Sequence, residues 1–485
     1  MRVASVSAAA LLFCLSISAQ SVPEIEIKWN SVTRVSRTTP TLQVVVNPPL
    51  RRGSAIHDAV FGALHSLGAD YVRYVPWLPY PRLAVAELAP GAWDTSLIDP
   101  MTVDFLNATE GHSTILNFST IPAWLFETDK PATYPDDPDQ VDWNYTQGKN
   151  LRPGGLQELA DYYARLVSWY AKGGFTDKQG KRHVSNFHFK IPYWEILNEP
   201  DFEHNTSAAD YTARYDAITA AIHTVSPETK FVGLALAAPS DHPEMFEYFL
   251  NRKNHRPGTP LDMISYHFYA TPSAGETPDS WQYTFFDQAD GFFHTVRYVE
   301  QIRKRLSPET RTTLDEIGAI LPGDPEGKET IPDVYWTATG ALYAYVYVAA
   351  MRLGIDVVGE SQLVGCPTQF PSVSMVDWNT GAPNARYWVL KLIHDHLQPG
   401  DQVVETSGSG GDILAQAFVT AAGRALLLVN KRNAVRTVRL KEEWAGAGIS
   451  IVDSSSAPRT TAFSGREVTL DRFAVAILHD MSVYR

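Results

Sequence analysis

The sequence predicts an α/β fold: a (β/α)8 TIM barrel followed by a smaller C-terminal β-sandwich domain. Two observations lead to this prediction. After the first forty residues, short β-branched runs alternate eight times with longer apolar runs at helical spacing, which is the pattern of a (β/α)8 barrel. Beyond residue 398 the helical runs stop, and short alternating runs separated by Gly, Ser and polar residues predict a β-sandwich.

The eight predicted barrel strands are, in chain order, TLQVVVNP, YVRYVPW, STILNFS, YWEILNEP, KFVGLALAA, MISYHFY, RTTLDEIG and DVVGESQL. The helices predicted to follow them are SAIHDAVFGALHSL, MTVDFLNA, LQELADYYARLVSWYA, SAADYTARYDAITAAIHTV, PEMFEYFLNRK, the segment from about 289 to 306, VYWTATGALYAYVYVAAMRLG and ARYWVLKLIHDHL. A doubly wound sheet is the alternative. Its usual Gly-x-Gly-x-x-Gly turn after the first strand is absent from VVVNPPLRRGS.

The remaining strands are predicted for the C-terminal domain, in the runs DILAQAFVT, ALLLVNKR, VRTVRL, ISIVD, REVTL and AVAILHD. The segment EIEIKW near the N-terminus alternates in the same way and is a candidate additional strand of the sandwich. The predicted organisation is therefore a signal peptide (1–19), an N-terminal segment (20–40), a catalytic barrel (41–398) and a β-sandwich domain (399–485).

The N-terminus MRVASVSAAALLFCLSISAQ contains one Arg, an apolar run to about Ile17 and small residues at the end. This pattern predicts a secretory signal peptide that is cut near Ala19 or Gln20, and hence a secreted, extracellular protein. The apolar run is too short for a membrane span. Cys14 lies within the signal, so the mature chain keeps only Cys366, which we interpret as a structural thiol.

Composition excludes several classes of partner. The net charge of −13 argues against binding to nucleic acid or to an anionic membrane. The His residues are scattered without H-E-x-x-H or a Cys/His cluster, so we predict no metal and no cofactor. N-x-S/T sequons, of which about two would arise by chance, make the chain a candidate glycoprotein. They start at Asn107, Asn117, Asn144 and Asn205.

In a (β/α)8 barrel the site is built at the C-terminal ends of the strands, so the polar residues at those ends are the candidates. The long, acidic and aromatic loop from about 127 to 150 is a candidate cap for this site. The residues at the predicted strand ends and in the loops beyond them are Arg73, Trp77, Asn117, Trp124, Asn198, Glu199, His267, Tyr269, Asp315, Glu316, Glu360, Gln362 and Trp378.

Two carboxylates, Glu199 on the fourth strand and Glu316 on the seventh, face each other across the predicted barrel mouth. Hydrolysis of a glycosidic bond needs such a pair, with one group protonated and the other ionised. Strand alternation predicts that only one of Asp315 and Glu316 points inward. Glu195 has the parity of Glu199, and we interpret it as a deeper member of a structural ion pair.

The motif WEILNEP, followed just over a hundred residues later by TLDEIG, resembles clan A glycoside hydrolases, which carry their catalytic Glu residues on strands four and seven. SYHFY resembles the sixth strand of the clan, and Arg73 resembles the Arg that many members carry on strand two. The likeness is greatest to glycoside hydrolase family 39, the β-xylosidases and α-L-iduronidases. The seventh strand departs from the commoner pattern, because Ile317 and Gly318 follow Glu316.

This resemblance implies that Glu199 is the acid/base and Glu316 the nucleophile of a retaining double displacement. Asn198 would bind a substrate 2-hydroxyl, and the aromatic hydroxyl that touches the nucleophile maps onto Tyr269. The remaining predicted substrate-binding residues are Arg73, His267, Trp124, Glu360 and Trp378.

The predicted function is that of a secreted retaining O-glycosidase. It would be exo-acting on xylosyl, arabinosyl or related residues of oligo- or polysaccharide fragments. An endo-acting clan A glycanase is one alternative. A catalytically inactive carbohydrate-binding barrel is the other, and the presence of both Glu residues argues against it.

Overall fold

The structure is a computed structural model that describes residues 22–130, 133–143, 145, 150–324, 331–367, 370–408 and 410–481. The predicted signal peptide and the sequon at Asn144 lie outside these residues. Within the described ranges, no helix has both the length and the apolar character that crossing a membrane requires.

Thirteen strands precede the C-terminal domain in the described chain, and eight of them form a closed barrel in the order β10-β11-β12-β13-β2-β3-β6-β9. The strands are β1 (Glu24–Val35), β2 (Thr39–Val45), β3 (Val72–Val75), β4 (Glu87–Ala89), β5 (Ala92–Trp93), β6 (Thr114–Leu116), β7 (Gly174–Thr176), β8 (Arg182–Val184), β9 (Tyr193–Glu195), β10 (Lys230–Leu236), β11 (Met263–Ala270), β12 (Arg311–Ala319) and β13 (Val357–Glu360). All eight pairings within the barrel are parallel. The predicted barrel is therefore confirmed, and each of its strands overlaps one of the predicted runs.

Helices follow the barrel strands as the apolar periodicity predicts. They are α1 (His57–Leu67), α2 (Pro81–Ala84), α3 (Ile98–Ala108), α4 (Gly155–Ala171), α5 (Ala208–Val225), α6 (Pro243–Phe249), α7 (Pro278–Leu306), α8 (Asp333–Leu353) and α9 (Ala385–His396). Helix α7 begins eleven residues before its predicted start near 289, because Thr277 and Ser280 form a reciprocal capping box and Pro278 fits the first turn.

The C-terminal domain is a nine-stranded sheet that curls on itself, in the order β19-β18-β21-β16-β15-β14-β1-β17-β20. Its strands after the barrel are β14 (Gln402–Ser407), β15 (Ile413–Thr420), β16 (Gly423–Asn430), β17 (Arg436–Leu440), β18 (Ala447–Val452), β19 (Thr460–Phe463), β20 (Glu467–Leu470) and β21 (Val475–Asp480). Strand β1 pairs with β14 on one side and with β17 on the other, so the N-terminal segment joins the two halves of this sheet.

Two large hydrophobic cores organise the described residues, and a third, small cluster among the barrel strands includes Ile115 and Val357. The larger core runs from the barrel helices into the face of the C-terminal sheet that contains Leu427 and Ile477. The smaller core lies inside the curled sheet and includes Ile25 of β1 and Leu426 of β16. Because neighbouring residues of β16 belong to different cores, this strand separates the inside of the sandwich from the barrel.

The barrel strands that carry the site are irregular near their C-terminal ends. The pairing of β11 with β12 shifts between Ser265 and His267, and that of β12 with β13 shifts between Leu314 and Ile317. Such shifts turn side chains out of simple alternation and are common beside active sites. They position the residues described next.

Candidate active site

Two carboxyl groups meet at one imidazole at the C-terminal mouth of the barrel. Nδ1 of His267 on β11 lies 2.9 Å from Oε1 of Glu199 and 3.2 Å from Oε2 of Glu316. One oxygen of Glu199, one oxygen of Glu316 and a ring nitrogen of His267 all lie within 4.8 Å of one another. The predicted pair from strands four and seven is thus brought together, with His267 between them.

Glu316 on β12 is bound by further donors. Nη1 of Arg73 donates to its Oε1 at 2.7 Å, and the hydroxyl of Tyr269 donates to its Oε2 at 3.0 Å. The Tyr269 hydroxyl also lies 2.6 Å from Oγ of Ser361, which accepts a hydrogen bond from Gln43 at 2.7 Å. Since Ser361 accepts from Gln43, its own proton is available for Tyr269, whose proton then faces Glu316. Arg73 and Tyr269 therefore each donate a hydrogen bond to one oxygen of Glu316.

The floor of the site is a buried charge cluster around Arg73. Its Nε lies 2.5 Å from Glu195 and 3.5 Å from Asp315, and all three side chains are at most 1% exposed. Burial raises the pKa of the Asp315 carboxyl well above its usual value, and the charge of Glu195 adds to this effect. The prediction that only one of Asp315 and Glu316 points inward is wrong, because the register shift in β12 directs both toward Arg73.

The pKa values of His267 and Glu199 are shifted by burial and by neighbouring groups. Burial alone would lower the pKa of His267, but the charge of Glu316 and the hydrogen bond and charge of Glu199 raise it to about 9. His267 is therefore a cation at neutral pH. Burial raises the pKa of Glu199, the His267 contact opposes this, and the charge of Glu316 adds to the rise. Such an environment suits Glu199 to act as a proton donor.

The backbone that presents Glu199 leaves the strand geometry earlier than predicted. Strand β9 ends at Glu195, whereas the predicted run YWEILNEP continues to Pro200. Leu197 and Glu199 then adopt left-handed conformations, with φ of 63° and 40°. Each such residue costs roughly 1–3 kcal/mol, and this strain is characteristic of functional sites. The turn is fixed by the amide of Glu199, which donates to the carbonyl of Ala235 at 3.0 Å.

A cavity of about 560 Å³ opens above these groups. One of its walls is aromatic: Trp77 stacks on Phe370 with ring centroids 6.0 Å apart, and Trp143 meets Phe370 edge-on at 5.6 Å. Phe202 lines the same cavity and is 76% exposed. Of the residues named at the predicted strand ends, six line the cavity, and Arg73 and His267 support them from beneath. The six are Trp77, Asn198, Glu199, Tyr269, Glu316 and Gln362.

Sequence reasoning missed several residues that line the cavity. Apart from the aromatic character of the loop around Trp143, the sequence contains no signal that would assign them to the site, because Gln43 lies on β2 and the others come from separate loops. These residues are Gln43, Trp143, Phe202 and Phe370. Glu203, which also lines the cavity, lies in the loop after Pro200, where the sequence left contact with substrate or with solvent open.

Three predicted substrate contacts require correction, because the structure directs their side chains elsewhere. Trp124 packs beneath Arg152 and donates from Nε1 to the carbonyl of Glu87 at 2.9 Å. Glu360 is fully buried and pairs with Arg386 at 2.8 Å, and Trp378 packs on the main core. None of the three belongs to the described lining of the cavity. Burial raises the pKa of Glu360 to about 8, with Arg386 opposing.

The sequons differ in accessibility. The side chain of Asn117 is fully buried and donates to Glu195 at 2.7 Å and to the carbonyl of Leu197 at 2.9 Å, so it is inaccessible for glycosylation in the folded chain. Asn107 and Asn205 are exposed.

Among the described residues, Glu199, His267 and Glu316 form the one group of acidic and imidazole side chains close enough to hold a metal ion. A metal there would have to displace the proton that His267 shares with the carboxylates, and it would occupy both of them. The expectation that the protein uses no metal stays a prediction. Cys366 is buried and lies 3.3 Å from the hydroxyl of Tyr80.

Comparison with known families yields two matches. Residues 157–314 match the family described as glycosyl hydrolases family 39, and residues 410–478 match the D-apionate lactonase C-terminal immunoglobulin-like domain. The first match covers about a third of the chain, includes Asn198, Glu199, His267 and Tyr269, and ends two residues before Glu316. No curated protein matches the chain.

Solved structures share the fold over nearly the whole chain. A glucosidase from Croceicoccus marinus is 14% identical with a TM-score of 0.60, covering 94% of this chain and 98% of its own. A family 51 arabinofuranosidase from Xanthomonas axonopodis pv. citri is 12% identical with a TM-score of 0.64, covering 94% and 99%. The catalytic domain of a family 30 xylanase C from Talaromyces cellulolyticus is 14% identical with a TM-score of 0.59, also covering 94% and 99%. At these identities the likeness concerns the fold.

The family match and the glutamate pair at the mouth of the barrel define the class of the protein, which is that of the glycoside hydrolases. Within this class the predicted resemblance to clan A, and to glycoside hydrolase family 39 in particular, is confirmed by the matched segment 157–314. The immunoglobulin-like match agrees with the predicted β-sandwich.

Proposed function

We propose that this enzyme is a secreted, exo-acting retaining glycosidase that removes neutral xylosyl, arabinosyl or related residues from polysaccharide fragments. The observation that carries the proposal is the convergence of Glu199 and Glu316 on Nδ1 of His267, inside a cavity large enough for a sugar ring. Each part of the proposal rests on a separate observation.

The retaining mechanism is supported by the short distance between the two carboxylates. Oxygens of Glu199 and Glu316 lie within 4.8 Å of each other. Retaining enzymes hold their carboxyl groups about 5–5.5 Å apart, whereas inverting enzymes need about 6.5–9.5 Å to leave room for water. The separation in this site therefore favours direct attack by one carboxylate.

The roles follow from the charges. Glu316, bound by Arg73 and Tyr269, attacks the anomeric carbon while Glu199 gives its proton to the departing oxygen, so that a glycosyl ester forms and the aglycone leaves. Water then attacks the anomeric carbon, and Glu199, now ionised, takes its proton. The sugar leaves with the anomeric configuration retained, and both Glu residues return to their starting states.

A neutral sugar is favoured by the charge of the cavity. Glu199, Glu203 and Glu316 line it, and its described lining contains no Lys or Arg side chain. A uronic acid would bring a carboxylate next to these three acidic groups, and the described lining offers no Lys or Arg side chain to pair with it, which is unfavourable in a partly buried site. The predicted xylosyl or arabinosyl specificity therefore agrees better with this lining than a uronidase does.

Exo action is supported by the aromatic wall. Trp77, Trp143 and Phe370 come from three different loops and contact one another, which closes one side of the cavity. A wall on one side of the cavity favours binding of a chain end, whereas an endo-acting enzyme needs a cleft open at both ends. Trp143 lies in the loop from about 127 to 150, which agrees with the predicted capping role of this loop.

The test is hydrolysis of aryl glycosides by the purified enzyme and by Glu316→Ala. The panel contains the xyloside, arabinoside, glucoside, glucuronide and iduronide. We expect release of a neutral monosaccharide with retained configuration by the parent and none by the variant. Release of oligosaccharides only would indicate an endo-acting enzyme, and no hydrolysis by the parent would indicate a binding barrel. Near-parental rates for Glu316→Ala would overturn the assignment of the nucleophile.

Secretion is proposed on the N-terminal sequence alone, through the predicted signal peptide over 1–19. Expression in a eukaryotic host tests it. We expect the protein in the medium with a new N-terminus near Gln20, and any glycan on Asn107 or Asn205 rather than on the buried Asn117. Peptide mapping of the secreted protein measures all three points.

A further inference from the structure

The cavity contains a third carboxyl group, Glu203, that the double displacement does not use. Its side chain is 2% exposed, yet it lines the same cavity as Glu199 and Glu316. A carboxyl group buried this deeply is unfavourable unless its oxygens are hydrogen-bonded. The surroundings of its two oxygens are very different.

One oxygen of Glu203 is held firmly. Oε1 accepts hydrogen bonds from Nε1 of Trp77 and from Nδ2 of Asn198, the latter at 2.8 Å. Asn198 is itself oriented by Arg73, whose Nη2 donates to Oδ1 of Asn198 at 2.6 Å. The carboxyl group is therefore fixed on the rigid network that also holds Glu316, which is the support that a precise recognition site needs.

The other oxygen, Oε2, is buried and has no hydrogen-bond partner among the residues that the structure describes. The ring of His204 lies near it, but its Nε2 is 3.9 Å away, beyond hydrogen-bonding distance. An unsatisfied buried acceptor costs about 1–3 kcal/mol, so a site that contains one is prepared for a ligand that supplies the missing bond.

We propose that Glu203 is a specificity-determining residue that binds one ring hydroxyl of the sugar that is cleaved. This inference rests on the proposed function, because it assigns a substrate contact within the same cavity. The ligand class is a neutral sugar with an unmodified hydroxyl facing Oε2. Removal of that hydroxyl, or its conversion to an ether or ester, leaves Oε2 unpaired and is selected against.

The protonation of Glu203 fits this role. Burial, together with the charges of Glu199 and Glu316, raises its pKa well above the usual range, although the hydrogen bonds from Asn198 and Trp77 act in the opposite direction. A raised pKa favours the protonated carboxyl group, which can either donate to or accept from a hydroxyl.

The experiment pairs the loss of Glu203 with the loss of single substrate hydroxyls. The parent and Glu203→Ala are compared on the best aryl glycoside from the panel and on its 2-, 3- and 4-deoxy analogues, by kcat/KM. For the parent we expect kcat/KM for one analogue to be roughly 10- to 100-fold lower than for the complete substrate, which corresponds to the loss of one hydrogen bond to a buried carboxyl group. For Glu203→Ala that same analogue should be no worse than the complete substrate, while the other analogues keep their parental penalties.

Asp201→Asn is the matched control. This carboxylate belongs to the same loop, accepts from the amides of Ala237 and Ala238 at 3.1 and 2.9 Å, and does not line the described cavity. We expect this substitution to change kcat/KM by the same factor for all four substrates. Asn198→Ala separates a direct from an indirect role: if the hydroxyl coupled to Glu203 is also the one coupled to Asn198, then Glu203 acts only by orienting Asn198 and the inference is overturned.

Calorimetric binding of neutral monosaccharides and their deoxy analogues to Glu316→Gln distinguishes the failure of this inference from that of the proposed function. Binding or cleavage without any coupling to Glu203 overturns the inference alone. Binding without cleavage by the parent overturns the proposed glycosidase activity. The coupling between Glu203 and one sugar hydroxyl is then tested by the binding affinities instead of kcat/KM. Absence of both binding and cleavage overturns both.

Discussion

At the scale of single residues, His267 makes the arrangement of the site possible. Two carboxylates within 4.8 Å of each other would repel strongly in a buried site, but Nδ1 of His267 lies within 3.2 Å of both. The positive charge of His267 reduces the electrostatic repulsion between the two carboxyl groups. Of the two carboxylates, Arg73 and Tyr269 bond only to Glu316, so the two groups have different environments and are suited to different roles.

The first prediction concerns the stability that His267 contributes. Its pKa rises from 6.5 to about 9 on folding, so the folded state binds the proton more tightly than the unfolded chain. This contribution, about 3 kcal/mol, is complete below pH 6.5 and is lost as the pH rises through 9. Urea unfolding of the parent and of His267→Gln between pH 5.5 and 9.5 measures it. We expect the stability difference to shrink as the pH rises, and a constant or growing difference would contradict the assigned charge.

The second prediction concerns Glu199 as the proton donor. For Glu199→Ala we expect a loss of roughly 10²- to 10⁴-fold on glycosides with poor leaving groups and a much smaller loss in the first step on dinitrophenyl glycosides, which need no proton. Azide should restore turnover, because a small anion fits the space that the carboxyl group leaves, and the product should be the glycosyl azide of retained configuration. Steady-state rates and product analysis measure this. Equal losses on both kinds of substrate would contradict the role.

The sequence predicted which polar residues meet at the barrel mouth better than it predicted the walls of the cavity. The positions of Glu199, Glu316 and Asn198 were predictable because each lies toward the C-terminal end of a predicted barrel strand. Phe202 and Phe370 were not predictable, because their place in the cavity depends on loop conformations that the periodicity of strands and helices does not encode. Glu360 was placed correctly at a strand end, but its pairing with Arg386 on α9 withdraws it from the cavity.

At the scale of elements, the register shifts of β11 and β12 decide which side chains reach the site. Alternation along RTTLDEIG would send Asp315 and Glu316 to opposite faces of the strand. The shift between Leu314 and Ile317 brings both to Arg73. A bulge is set by the pairing of a strand with its neighbours, so one strand read in isolation does not predict it.

The third prediction concerns the packing of β10 behind the site. A Cβ added at Gly233 would lie 2.5 Å from Cζ of Phe249 and 3.1 Å from the ring of Tyr215. Gly233→Ala should therefore destabilise the fold by about 1–3 kcal/mol through overpacking. Gly62→Ala is the matched control, because it lies inside α1 with no atom within 4 Å of the added Cβ, and it should be neutral or stabilising by up to about 1 kcal/mol. Urea unfolding of both variants measures this, and equal effects would contradict the prediction.

At the scale of the whole molecule, the hydrophobic pattern of the sequence changes near residue 398 because the architecture changes from barrel to sheet. The hydrophobic core of the barrel nevertheless continues into the C-terminal sheet. The alternation of strands and helices predicted the barrel because each unit is local in the sequence. That Leu427 and Ile477 of the C-terminal sheet pack into the barrel core was not predictable, since alternation identifies an apolar face but not its partner. The pairing of β1 with β14 ties the N-terminal segment into the same unit.

The last prediction follows from this shared core. Leu427 and Leu426 are neighbours on β16, both fully buried, but Leu427 faces the barrel and Leu426 the inside of the sandwich. Truncation of Leu427 to Ala should cost about 2–5 kcal/mol and destabilise barrel and sheet together. We therefore expect a single calorimetric transition at lower temperature, with loss of activity at the same temperature. Leu426→Ala is the matched control of equal volume, and its cavity lies within the sheet alone. A separate early transition in Leu427→Ala, with activity retained above it, would show that the two parts unfold independently and would contradict the role of the shared core.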